Sequence, residues 1–164
     1  MRYFVLGIMA LMLTVLLYLI VMRDVSVPVD QSIERSANVK QASGETRMIR
    51  IGKAEFLVEI ADSVDEWVRG LSGRVMLAEN TGMLFIFPHE EKKIFWNKDT
   101  IIPLDVIWLR NSEVVGVSYL FAIKTGEDPI RVYSPQPVNS VLEVNAGFVE
   151  KNSIKVGDRL TGAP

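Results

Sequence analysis

The run Asp105-Val106-Ile107-Trp108-Leu109-Arg110-Asn111-Ser112-Glu113-Val114-Val115-Gly116-Val117 decides the fold class. Two stretches rich in β-branched and apolar residues, Asp105–Leu109 and Glu113–Val117, flank Arg110-Asn111-Ser112, which is short enough to be a hairpin loop. The same texture extends outward in both directions. Towards the N-terminus, Lys93–Trp96 reads as a strand, and Asn80-Thr81-Gly82 is a turn into the wholly apolar strand Met83–Phe87, stopped by Pro88. Further back, Met48–Ile51 and Ala54–Ala61 flank Gly52-Lys53, a hairpin turn. Phe56, Val58 and Ile60 there alternate with Glu55, Leu57 and Glu59, so one face is apolar and the other mostly polar. Towards the C-terminus, strands are expected at Ile130–Tyr133, Val141–Asn145 and around Arg159-Leu160. One short helix interrupts them. Ser63-Val64-Asp65-Glu66 fits a capping box, Val64, Trp67, Val68 and Leu71 follow at helical spacing, and Gly70 marks the end. Many short strands with little helix predict a mainly β (α+β) domain: a predominantly antiparallel sandwich or distorted barrel.

The first residues belong to a different physical class. Tyr3 to Met22 is apolar almost throughout and ends at Arg23-Asp24. Such a run of about 20 residues at about 1.5 Å each spans roughly 30 Å, the thickness of a bilayer's hydrocarbon core. It ends on Leu19-Ile20-Val21-Met22, without the small residues that precede a signal-peptide cut, so an uncleaved transmembrane anchor over residues 1–23 is expected. The expected topology leaves the amino end inside and the domain extracytoplasmic. Residues 24–47 are polar, hold Pro28 and Ser43-Gly44, and read as a flexible linker. The β-rich domain is expected over 48–161.

Composition narrows function mainly by exclusion. The net charge of -2, with both signs interspersed, lacks the clustered basic face of a nucleic-acid binder. With no cysteine, disulfides, thiolate nucleophiles and Cys-based zinc or iron–sulfur sites are out of reach. His89 is the only imidazole and stands in a charged loop, where a surface histidine is expected. Gly82 and Gly157 read as isolated turn glycines and form no phosphate-binding loop. No cofactor, metal site or catalytic residue is assigned.

Five motifs in order carry a resemblance. They are Gly70-Leu71-Ser72-Gly73-Arg74; Gly82-Met83-Leu84-Phe85-Ile86-Phe87; Phe95-Trp96-Asn97-Lys98-Asp99-Thr100; Ile102-Pro103-Leu104-Asp105; and Val141-Leu142-Glu143-Val144-Asn145-Ala146-Gly147 with Gly157-Asp158. Together they resemble the domain of unknown function 192 family. The resemblance implies a compact, jelly-roll-like β domain, often behind an export signal or anchor, and brings no established reaction. Two positions depart from the family's usual Phe-Trp-Met-Lys-Asn-Thr: Asn97 stands for Met, and Asp99 for Asn.

Within these motifs the candidate binding residues are Arg74, Trp96, Lys98, Asp105, Glu143 and Asn145. Asp105 opens an apolar strand, so it is either held by a salt bridge (to Lys98 or Arg74) or a turn cap at the Pro103 corner, or is a carboxylate of shifted pKa in a cleft. Glu143 and Asn145 share one strand face, Leu142 and Val144 the other. Trp67, Trp108, Phe85, Phe87 and Phe95 read as core, whereas Trp96 precedes a polar stretch and is the best aromatic for a ligand platform. The expected function is a membrane-tethered binding or interaction module for a small molecule, glycan or protein, without nucleic acid. The alternatives are a hydrolase pairing Asp105 with Glu143 or Asp99, acting on an envelope glycan or polymer, and a purely structural role beside a membrane complex.

Overall fold

A computed structural model describes residues 44–124 and 126–163; the expected anchor and nearly all of the expected linker lie outside these residues. The described chain is mainly β. Its strands are β1 (Thr46–Ile51), β2 (Ala54–Ala61), β3 (Thr81–Glu91), β4 (Ile94–Trp96), β5 (Leu104–Arg110), β6 (Glu113–Leu120), β7 (Arg131–Tyr133), β8 (Val138–Asn145) and β9 (Leu160–Thr161). Two short helices accompany them, α1 (Val64–Arg69) and α2 (Phe148–Lys151). One curled seven-stranded sheet, in the order β6-β5-β8-β3-β2-β1-β9, carries the fold, and β4 and β7 form a separate two-stranded ribbon. Of the expected sandwich or distorted barrel, a single curled half-barrel sheet is nearer the barrel than a two-sheet sandwich. Among the described residues, no helix is long and apolar enough to cross a membrane.

All sheet pairings are antiparallel except β2 with β3. A parallel neighbour requires a crossover of a dozen residues or more, and residues 62–80, with α1 inside them, supply it. The helix starts where the capping box predicts: the Glu66 carboxylate accepts hydrogen bonds from the Ser63 amide at 3.1 Å and the Ser63 hydroxyl at 2.7 Å. Gly70 follows the last turn at φ 45°. Helix α2, which no periodic pattern signals, is a single turn after Gly147 at φ 82°.

Side chains alternate across the sheet, and both faces are covered. One face packs Ile49, Phe56, Val58, Leu84, Ile107, Leu109, Leu142 and Val144 beneath Phe148 of α2 and Ile154. The other packs Phe85, Phe87, Val106, Trp108 and Val141, with Leu71 from the crossover and Phe95 from the ribbon against them. Burial on both sides explains why β5 reads as a continuous apolar run. On the second face Phe95 lies edge-on to Phe85 at 4.9 Å and to Trp108 at 5.6 Å, which fastens the ribbon to the sheet.

Three local features differ from the sequence reading or sharpen it. Pro88 does not stop β3, which continues to Glu91; it falls in the register break between the Ile86–Ser140 and Glu91–Val138 pairs, where a missing N–H is tolerated. The β5–β6 turn places Asn111 and Ser112 at φ 49° and 67°, the two left-handed residues of a tight hairpin. Gly82 is no turn residue but sits inside β3 opposite Val144. A Cβ at Gly82 would stand 2.6 Å from the Glu143 carbonyl oxygen and 2.9 Å from a Val144 methyl. Gly82→Ala therefore lowers stability by about 1–3 kcal/mol through overpacking; an unchanged urea midpoint would contradict that close approach.

Candidate functional site

Cross-strand partners share a face, and the register makes one row across the second face. It runs Glu59 on β2, Met83 on β3, Glu143 on β8, Val106 on β5 and Ser118 on β6. Two carboxylates thus lie in a mostly apolar row, about 10 Å apart as two strand spacings. They are treated in opposite ways. Glu59 receives both guanidinium nitrogens of Arg74, at 2.6 and 2.5 Å, and the pair is largely buried. Glu143 is only 4% exposed, and among the described residues its carboxyl accepts no hydrogen bond and joins no ion pair. Burial alone pushes its pKa up to about 8, because the ionised form has lost water and gained nothing in exchange.

The carboxyl lies in a cleft of about 70 Å³ that also involves Trp67, Leu71, Phe85, Phe95, Trp96 and Thr100. Such a volume admits a few waters or a small head group. Arg69 and Ser72 belong to its exposed rim. Trp67 is locked by its indole N–H, which donates to the Ala61 carbonyl at 2.9 Å. Trp96 is 50% exposed, with the Arg131 guanidinium 5.5 Å above its ring.

The sequence-derived residues therefore separate. Trp96 and Glu143 meet in the cleft. Arg74 is on the same side but bound to Glu59 rather than to Asp105. Asn145 donates to the Leu77 and Ala78 carbonyls at 2.9 and 3.1 Å, tying down the crossover. Lys98 contributes its carbonyl, which accepts the Ser72 hydroxyl at 2.9 Å, while its side chain is exposed. Asp105 pairs with Val144, one residue out of step with the Val106–Glu143 pair, so it points from the opposite face. The Asp105–Glu143 dyad does not exist. Asp105 instead accepts the Val149 amide at 2.9 Å and caps α2, with neither Lys98 nor Arg74 as partner. Asp105→Ala costs about 1 kcal/mol as a lost helix cap, and amide exchange at Val149 should quicken more than elsewhere; uniform exchange would remove that role.

Sequence reasoning passed over Thr100, buried at the cleft, and the aromatic wall that Phe85 and Phe95 present to it. The motif position of Thr100 was the available signal. It also left the two family departures unassigned. Asn97 does not face the cleft opening: it is 1% exposed, donates to the Phe121 carbonyl at 2.7 Å and accepts the Ile130 amide at 2.8 Å. Asp99 adopts φ 56°, a conformation that Asn and Asp tolerate better than other side chains, which accounts for the exchange of one for the other. His89 is exposed, and among the described residues no cluster of three His, Asp or Glu side chains is placed to hold a metal ion.

A larger groove, about 510 Å³, lies on the Asp105 side against α2, involving Tyr119, Val149, Glu150 and Ile154. Its one buried carboxylate is already committed to the α2 cap. The smaller cleft is the one that joins a buried carboxyl, free of such a commitment among the described residues, to an aromatic lining.

Two solved structures share this architecture. One is a candidate transcription regulator from Sinorhizobium meliloti 1021, 30% identical with a TM-score of 0.66, the match covering 74% of this chain and 97% of that one. The other is a protein of unknown function from Novosphingobium aromaticivorans DSM 12444, 26% identical with a TM-score of 0.63, covering 74% and 88%. No curated protein matches. The family profile of DUF192, described as Uncharacterized ACR, matches residues 47–162, which take in the described sheet from β1 to β9 apart from Thr46. With all five sequence motifs inside that span, the chain belongs to the DUF192 family.

Proposed function

We propose that the protein is a small-molecule binding module, held at a membrane by residues 3–22 with its β domain on the extracytoplasmic side. One observation carries the binding reading: Glu143 is a buried carboxyl that, among the described residues, has no partner, at a cleft with aromatic walls. Burying such a group costs several kcal/mol unless something answers it, and a ligand with matching polarity would recover that cost. The tether rests on the length and apolarity of the N-terminal run.

The hydrolase reading lacks a second carboxylate at the cleft. Asp105 is across the sheet, and Glu59 is clamped by Arg74. A transcription-regulator role, the description given to the S. meliloti neighbour, would by direct contact with DNA need a clustered basic face that this chain of net charge -2 does not offer.

The test uses the full chain in detergent micelles and follows the indole N–H signals of its three tryptophans by NMR during titration with a set of small polar compounds. A cleft ligand shifts Trp96 and Trp67, and Trp96→Ala weakens it. Ligands that perturb only the α2 side, or none that bind at all, would overturn the reading. For the tether, the product should stay with membranes after an alkaline wash and be degraded by protease added outside intact spheroplasts.

A further inference from the structure

We propose that the cleft takes the head group of a small primary ammonium ion, whose N–H groups donate to the Glu143 carboxylate while its carbon stem packs on the aromatic wall. This deepens the small-molecule reading and rests on it. Charge selects the class first. An anion would meet another acceptor at Glu143, and the one cation lining the cleft, Arg69, stands on its exposed rim, where water and salt screen it, while the charge of nearby Arg74 is already matched by Glu59. A neutral ligand leaves the carboxyl protonated and gains only neutral hydrogen bonds, which are weaker than charge-assisted ones. An ammonium ion brings three donors and a full opposite charge to a site from which water is largely excluded.

The walls favour the same class. Phe85, Phe95, Trp67 and Trp96 line the cleft, and aromatic faces attract cations through their ring quadrupoles. The protein itself uses this attraction nearby, with Lys93 Nζ 3.7 Å from the Phe87 ring centre and Arg131 over Trp96. Size sets the limit. About 70 Å³ accepts a head group and a few carbons, not a bulky quaternary ion.

The surrounding charges leave room for one more cation. Glu59 and Arg74 neutralise each other. Lys93 and Arg131 stand over outer rings, and Arg69, Lys98 and Asp99 are exposed, where water and salt screen them. Binding must also move a proton. The empty site holds Glu143 as the acid; when the ammonium enters, that proton leaves to solvent and the carboxylate stays as the counter-charge. Affinity then follows the ionised fraction, rising about tenfold per pH unit below the midpoint of Glu143.

The experiment titrates the full chain in micelles with n-propylammonium chloride, propan-1-ol and sodium propionate between pH 5.5 and 7.5, reading the Trp96 and Trp67 indole signals. Only the ammonium should shift them, with affinity increasing about tenfold per unit. Glu143→Gln should abolish that pH dependence, Trp96→Leu should weaken binding about fivefold at unchanged slope, and His89→Gln, a control for the one imidazole, should change nothing. If propanol or propionate shifts the same signals as strongly, or the ammonium binds without pH dependence, the ammonium assignment is wrong while the cleft remains a binding site. If none of the three probes, and no compound of the wider set, perturbs these signals, both readings are wrong.

Discussion

Glu143→Gln raises the stability of the domain, and the gain grows with pH. The parent's Glu143 carboxyl titrates at about 8 in the fold, against an ordinary value of 4.5. Because the folded value is raised, the unfolded chain releases this proton first as pH rises. Below pH 4.5 the group is neutral in both states and costs nothing. Between 4.5 and 8 each pH unit removes about 1.4 kcal/mol of stability, and above 8 the loss is constant. At pH 7 the accumulated loss is about 3 kcal/mol by this reckoning. Glutamine has the same shape and no ionisation, but its amide donors need partners, which returns about 1–2 kcal/mol of cost. At pH 8 the loss is about 4 kcal/mol, so the net gain there is about 2–3 kcal/mol, or roughly 8–12 °C in Tm. Parent and variant should cross at about pH 5–6, with the variant the less stable below that. A constant offset at every pH would mean that Glu143 is hydrated or paired in the fold.

Arg74→Met has the opposite sign and a larger effect. Its guanidinium is the partner of a Glu59 carboxylate that is nearly inaccessible, and its removal leaves an unpaired charge in the row beside Met83. Breaking a buried pair from one side costs about 3–5 kcal/mol. Removing both charges costs much less, since desolvation is no longer incurred; a Glu59→Leu, Arg74→Met double variant should recover most of the loss. Urea unfolding of the four members of this cycle measures it. If the two single substitutions and the double are all neutral, the pair is a solvated surface contact.

Much of the fold is legible in local pattern because local pattern sets it. The Ser63–Glu66 box, the Gly52-Lys53 hairpin and the Asn111-Ser112 turn depend on residues within a few positions of one another. The parallel β2–β3 pair is not legible, since nothing in either strand encodes the direction of its neighbour. The same limit governs the site. Alternation alone separates Glu143 and Asn145 from Leu142 and Val144, as the two cores confirm. Which face carries Asp105 depends on the β5–β8 register, a property of two segments distant in sequence. Burial of Glu143 depends on Phe95 and Leu71, brought over it by the ribbon and the crossover. A polar strand face therefore reads as solvated until its cover is known.

Glu143 sits in the fold as a largely desolvated acid that opens only on the cleft and, among the described residues, has no partner, and its own titration is the sharpest check. Side-chain carboxyl carbons of the full chain can be followed by NMR from pH 3 to 10, with Glu143→Gln assigning the resonance. A midpoint of about 8 is expected, far above the ordinary 4.5. A midpoint close to the ordinary value would place the carboxylate in water, and the cleft would then have no unmet charge for a ligand to answer.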